Sequence, residues 1–137
     1  MTVRYQMKLT GLEEYLERIV QAGLNVDASA AKAVEAGSEI VLDSMLEKVP
    51  VGQAPEDPHP GNLKKHVKRT QPQQDGNLIF CQIGVLDADA NTAIYGNVQE
   101  YGSGSNSPQP YVRPAFDENK GKVRAAEKAV LEAEGVL

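Results

Sequence analysis

Val3, Tyr5, Met7 and Leu9 alternate with Arg4, Gln6 and Lys8, the period-two signature of a half-buried strand, and Gly11 ends it. Leu12, Tyr15, Leu16, Ile19 and Val20 then recur at helical spacing, and Gly23 closes that short helix. A longer helix is predicted from Asp27, placed as its N-cap, to about Lys48. Its apolar stripe is Ala30, Ala33, Val34, Gly37, Ile40, Val41 and Met45, in which the small residues Ala30, Ala33 and Gly37 let another backbone come close. Lys48 suits the negative end of the helix dipole, and Pro50 stops the helix.

The interval from Val51 to Pro60 is too rich in proline and glycine for regular structure, so a flexible loop is expected at about 50–62. Leu63 to Thr70 is basic and partly alternating. Leu78 to Val85 reads as a strong strand with Ile79, Cys81, Ile83 and Val85 on one face, and Asp75-Gly76 supplies a hairpin turn between the two. This hairpin is expected to meet the N-terminal strand. After a turn at Asp87 to Asn91, Ile94, Tyr95, Val98 and Tyr101 fall at helical spacing and fit a short helix or an irregular strand. Beyond Gly102-Ser103-Gly104, Pro114 can enter the first turn of a last helix whose apolar face is Ala115, Phe116, Val123, Ala126, Ala129 and Val130. The order predicts an α+β fold: a small antiparallel sheet with a central β-hairpin, packed against one long helix and a C-terminal helix, as a single domain over residues 1–137.

Composition narrows the class of protein. Hydrophobic residues are 41% and charged residues 24%, a soluble globular balance. No apolar run approaches the roughly 20 residues of a membrane span, and Met1 to Gln6 lacks the apolar stretch of a signal peptide. One cysteine, Cys81, excludes an internal disulfide and fits synthesis in a reducing cytoplasm. A net charge of −5 argues against a general nucleic-acid binder while leaving room for a local basic patch. Aromatics are 5% with no Trp, so the core is thin and aliphatic, the kind that often gains stability from a partner subunit.

Catalytic chemistry is hard to assemble from these residues. Glu56-Asp57-Pro58-His59 brings metal-ligating types together, but zinc sites want more His or Cys at characteristic spacing, and His66 is the only other histidine. Cys81 sits among Ile79, Phe80 and Ile83 and reads as a small core hydrophobe; a Cys81–His66 dyad would lack an orienting third residue. Gly102-Ser103-Gly104 has no preceding buried strand and no following Lys-Ser/Thr, so it reads as a hinge and not as a phosphate loop. The basic run containing Lys64, Lys65, Lys68 and Arg69 has two readings, a DNA-facing or docking patch and an edge strand protected by lysines. The acidic balance of the chain favours the edge strand.

The segment Glu100-Tyr101-Gly102-Ser103-Gly104, followed by Pro110-Tyr111-Val112-Arg113-Pro114-Ala115-Phe116, reads as a device for placing a surface. Glycines turn the chain and prolines stiffen it. Glu100, Tyr101, Gly102 and Gly104 are assigned to the hinge, and Tyr111, Arg113, Pro114 and Phe116 to a platform for subunit contact. Arg113 is positioned to pair with a carboxylate such as Glu100, within the chain or across subunits. Tyr111 and Phe116 equally fit a role in completing the core, where scarce aromatics are usually needed.

Three motifs in order carry a family resemblance: Val49-Pro50-Val51-Gly52 leading to Gly61-Asn62-Leu63; the block Tyr95 to Gly104; and Pro110 to Ala115 before a charged helix. From about residue 12 to residue 130 the chain resembles the small tail-component, or head–tail joining, proteins of long-tailed phages and prophages, the gene-product-ten-like family of lambdoid phages. That family typically runs Pro-Val-Asp-Thr-Gly-Asn-Leu without interruption, whereas residues 52–60 are inserted here. The resemblance implies a non-enzymatic structural protein of the virion neck, made in the host cytoplasm and located at the head–tail interface. It implies self-assembly as a ring, commonly a hexamer, between the head connector or adaptor and the tail tube or terminator proteins. Contact with passing phage DNA, no membrane, no metal and no cofactor belong to the same expectation. The alternatives are a tail terminator capping the tube, a small metal-dependent hydrolase or nuclease using His59 or His66 with Asp57, and a regulatory binding module.

Overall fold

A computed structural model describes residues 5–6, 26–52 and 60–136, and the fold is α+β. The long helix α1 (Val26–Lys48) already includes Asp27, which lies in its first turn and not at the N-cap expected for it. There the carboxylate still faces the positive end of the dipole and accepts a hydrogen bond from Gln74 Nε2 at 3.2 Å. The expected stripe is inside: Ala30, Ala33, Val34, Gly37, Val41 and Met45 are buried and Ile40 is half-buried.

The last part of the chain is two helices, not the continuous one expected. Pro114 opens α4 (Arg113–Asp117), whose fixed φ suits a first turn. Asn119 then interrupts the path: its buried side chain donates to Ala115 O at 2.7 Å, closing α4, and its carbonyl accepts from Val123 N at 2.8 Å, opening α5 (Lys120–Ala133). α5 lies antiparallel along α1. Lys32 near the start of α1 pairs with Glu134 just past the end of α5 at 2.7 Å, and Lys48 at its end pairs with Glu118 ahead of α5 at 2.9 Å.

The middle of the chain forms the expected hairpin, with two corrections. Leu63 to Thr70 is not one strand but a helical turn, α2 (Asn62–Lys65), followed by β2 (Val67–Arg69). Leu78 to Val85 splits at Cys81 into β4 (Leu78–Phe80) and β5 (Gln82–Val85). β5 pairs antiparallel with β2, Arg69 opposite Ile83, and Thr70 N–H extends that ladder to Gln82 O at 2.8 Å. β3 (Gln73–Asp75) pairs with β4, Gln73 opposite Phe80. Gln71 and Pro72 therefore face Cys81 alone, a bulge at the residue that has no N–H to give the ladder. Phe80 and Cys81 are both buried, and Ile79 is only half-buried. Gly76, with φ 60, opens the two-residue turn after Asp75.

The described part of the N-terminal strand, β1 (Tyr5–Gln6), pairs antiparallel with β5, giving a three-stranded sheet in the order β1-β5-β2. β2 is thus an edge strand among the described residues. The rest of the strand expected over residues 3–9, the helix expected over 12–20, and residues 53–59 of the proline-rich loop lie outside the described residues. The core gathers Val41 and Met45 of α1 with Val49 just past its end, Leu63, Val67, Ile83 and Val85 from the hairpin region, and Tyr111, Val112 and Ala115.

Candidate functional site: a clamped loop at the end of a helix

Helix α3 (Ala90–Tyr101) resolves the choice between helix and irregular strand. Asp89 caps it, accepting from Thr92 N at 3.3 Å and from the Thr92 hydroxyl, and Asn62 Nδ2 donates to that same hydroxyl oxygen at 2.6 Å. The Thr92 hydrogen bonds hold the Asp89 carboxyl below its usual range. So α2 is tied to the start of α3. Halfway along, Gly96 lets α3 settle on the core: a Cβ there would stand 2.8 Å from Leu63 Cδ1 and 2.9 Å from the Tyr111 hydroxyl oxygen. Tyr111 donates its hydroxyl to Gly96 O at 3.1 Å.

At the far end Glu100 turns inward and is only 1% exposed. A carboxylate at a helix C-terminus faces the unfavourable end of the dipole. Here the returning chain compensates. Oε2 accepts from the backbone N–H of Tyr111 at 2.7 Å and of Val112 at 2.9 Å, and Oε1 accepts from Arg113 N at 3.0 Å and Arg113 Nε at 2.9 Å. Arg113 Nη2 also donates to Glu100 O at 2.8 Å. Burial pushes the carboxyl up, but the N–H groups of Val112, Arg113 and Tyr111, together with the Arg113 side chain, outweigh it and hold the group below its ordinary value. The carboxylate is ionised and its lone pairs are fully used, so it is no general base.

The chain between these anchors is a loop with a fixed base. Gly102 ends α3 at φ 79 and ψ 178, a region essentially confined to glycine, and a Cβ there would meet Asn106 O and Pro108 at 3.0 Å. Ser103 N–H donates to Asn106 O at 2.9 Å, and Gln109 N–H returns to Gln99 O at 2.7 Å. Residues 103–110 are exposed and carry no charge. Gly104 takes no positive φ, and nothing lies within 4 Å of the place for its Cβ. The hinge expected at Gly102 to Gly104 is therefore a clamped turn in which Gly102 is required and Gly104 is not.

The expected platform divides in the same way. Tyr111 is 1% exposed and belongs to the core, Phe116 is half-buried against it, and Pro114 serves the first turn of α4. Burial, reinforced by the Glu100 charge, pushes the Tyr111 phenol far up, so it remains a donor. What reaches the surface is Arg113, half exposed, stacked 4.8 Å above the Tyr101 ring, and Ile94 two turns back on α3. Of the two pairings expected for Arg113 and Glu100, the one within the chain is present.

The remaining sequence candidates are dispersed. Lys64 and Lys65 are exposed on α2 and Lys68 on β2, but Arg69 does not join them. Its guanidinium turns to α1 and pairs with Glu39 at 2.9 Å and Glu35 at 3.2 Å. Burial lowers its pKa, and those two carboxylates more than reverse this. Cys81 is buried and burial pushes its thiol up, against a hydrogen bond with Ser38. His66 follows α2 with its Nδ1 buried and without a hydrogen-bond partner. Glu56, Asp57 and His59 lie outside the described residues. Among the described residues no group of three or more His, Cys, Asp or Glu could hold a metal ion, and no helix is long and apolar enough to cross a membrane. The contacts missed by sequence reasoning are Asp89–Thr92–Asn62, Gly96 beneath Tyr111, and Asn119; the first had a local signal, an Asp three residues before a Thr at a helix start, and the third is a local bond four residues back.

Comparison with protein-family models, with curated proteins and with solved structures finds no match to this chain.

Proposed function

We propose that this chain is a structural subunit of a phage neck, joining the head connector to the tail as a member of a homo-oligomeric ring. One observation carries the proposal: the three separate motifs behind the family resemblance are mutual contacts. Asn62 and Leu63 meet Thr92 and Gly96, Gly96 meets Tyr111, and Glu100 gathers Tyr111, Val112 and Arg113. Residues that depend on one another in this way form one unit, which supports treating the motifs as a single signature and not as three short coincidences.

The state of the polar groups is consistent with a contact role. Glu100, Tyr111 and Arg69 are engaged in holding the fold, and Cys81 is a buried thiol. Exposed beside this site are an uncharged loop with a fixed base and the Ile94, Tyr101 and Arg113 face. In a closed ring each subunit offers two different patches to its two neighbours. The partners in this proposal are further copies of the chain, the head connector or adaptor, and the tail tube or terminator, with location at the head–tail interface of the virion.

The test is deletion of the gene from the phage or prophage that encodes it, with immuno-electron microscopy of wild-type particles. Label at the neck, and separate accumulation of filled heads and complete tails in the deletion, are expected. Tails of irregular length would identify a terminator instead, and normal infectious particles would reject both.

A further inference from the structure

On α1, Glu35, Glu39, Asp43 and Glu47 follow one another at four-residue spacing and form a single acidic ridge. Like charges so spaced disfavour a helix unless a cation answers them. Arg69 answers the first two, at 3.2 Å and 2.9 Å. Asp43 and Glu47 are exposed and have no salt-bridge partner among the described residues. The same chain carries a matching set of unanswered cations. Lys64, Lys65 and Lys68 are exposed and likewise unpaired among the described residues.

These two surfaces do not pair with each other within one molecule. Side chains alternate along β2: Val67 faces the core it shares with α1, and Arg69 reaches the α1 carboxylates. Lys68, between them, points away from α1. We infer that copies of this chain associate head to tail, the Lys64, Lys65 and Lys68 surface of one copy against the Asp43 and Glu47 ridge of the next. Two different patches used head to tail, each facing a different neighbour, generate a closed ring or a filament. The inference rests on the ring proposed above and names the surfaces that build it. With a net charge of −5 the copies repel at long range, so association depends on this local complementarity and weakens as salt screens it.

The experiment uses the full chain in sedimentation velocity at low and high salt. The variants are a triple Lys64→Glu, Lys65→Glu, Lys68→Glu, a double Asp43→Lys, Glu47→Lys, and an equimolar mixture of the two, with folding checked by circular dichroism. The wild type is expected to associate at low salt and dissociate at high salt. Each variant alone is expected to lose on the order of 100-fold in association, because like charges then face each other. The mixture is expected to recover, since each altered surface finds its opposite on the other variant. A monomeric wild type at low salt, variants that associate like the wild type, or a mixture that fails to recover would each overturn the inference. So would a lysine variant that loses only affinity for DNA, which would mark a nucleic-acid surface. Persistence of a ring in the variants defeats these contacts while leaving the neck reading intact; absence of label from the virion neck defeats that reading while leaving charge-driven association standing.

Discussion

Glu100 near the end of α3 and Glu127 on α5 are both buried, at 1% and 9% exposure, yet the fold holds them in opposite states. Glu100 receives three backbone N–H groups and a guanidinium, and its carboxyl is held below its ordinary value of 4.5. Among the described residues no hydrogen bond reaches the Glu127 carboxyl; burial pushes it up to about 7, with only the Arg124 charge opposing. Burial alone therefore does not decide the charge of a carboxyl. Donors aimed at the charged form decide it, and at Glu100 those donors are the backbone of the returning chain. One glutamate organises a loop, whereas the other is tolerated beneath a helix.

Breaking the first of these sites has the largest expected effect. Glu100→Ala leaves the N–H groups of residues 111–113 and the Arg113 guanidinium without their acceptor, and should cost about 3–5 kcal/mol in urea denaturation. A variant as stable as wild type would show that the loop does not depend on the clamp. Next comes the turn that the clamp secures. Gly102→Ala forces a side chain into φ 79 and into contact with Asn106 and Pro108, at an expected cost of about 1–3 kcal/mol. Gly104→Ala should stay within about 0.5 kcal/mol, since its neighbourhood is open. Equal costs at the two glycines would contradict the assignment.

The effect at the second glutamate is smaller than at Glu100 and has the opposite sign. Glu127 is raised in the folded state from 4.5 to about 7, so between these values the native protein holds the proton more tightly than the unfolded chain does. Its contribution is favourable below pH 4.5 and declines as pH rises towards 7. Glu100 behaves inversely: its contribution is present above 4.5 and is lost as pH falls through its lower native value. Glu127→Gln should therefore gain on the order of 1 kcal/mol at pH 8 and flatten the decline above pH 4.5, read from thermal unfolding across pH. An unchanged pH profile would mean that Glu127 is solvated in the fold.

Much of the architecture was legible in the chain because local patterns agree with it. The α1 stripe, the turn at Gly76 and Pro114 at the head of α4 follow from periodicity and from the backbone preferences of single residues. The split of Leu78 to Val85 at Cys81, opposite Gln71 and Pro72, is not legible in the sequence, because a bulge depends on which residue lies opposite. Asn119 breaks the last helix through a side-chain bond back to Ala115 O, four residues earlier, which the apolar spacing does not report. At the candidate site the residues take a different geometry from the one their order along the chain suggests. Glycines and prolines around Tyr111 suggest a hinge and a platform when read in line, but Glu100, 11 residues earlier, closes the segment on itself. Charge signs could suggest the Glu100–Arg113 pair, whereas the backbone donors of residues 111–113 are invisible in any sequence.

The most direct measurement is a carbon-13 NMR titration of the glutamate side chains, with Glu100 and Glu127 assigned through their Gln variants. Glu100 should titrate below 4.5 and Glu127 near 7. Coincident midpoints, or a Glu100 midpoint above 4.5, would contradict the ionised clamp on which the geometry of residues 100–113 depends.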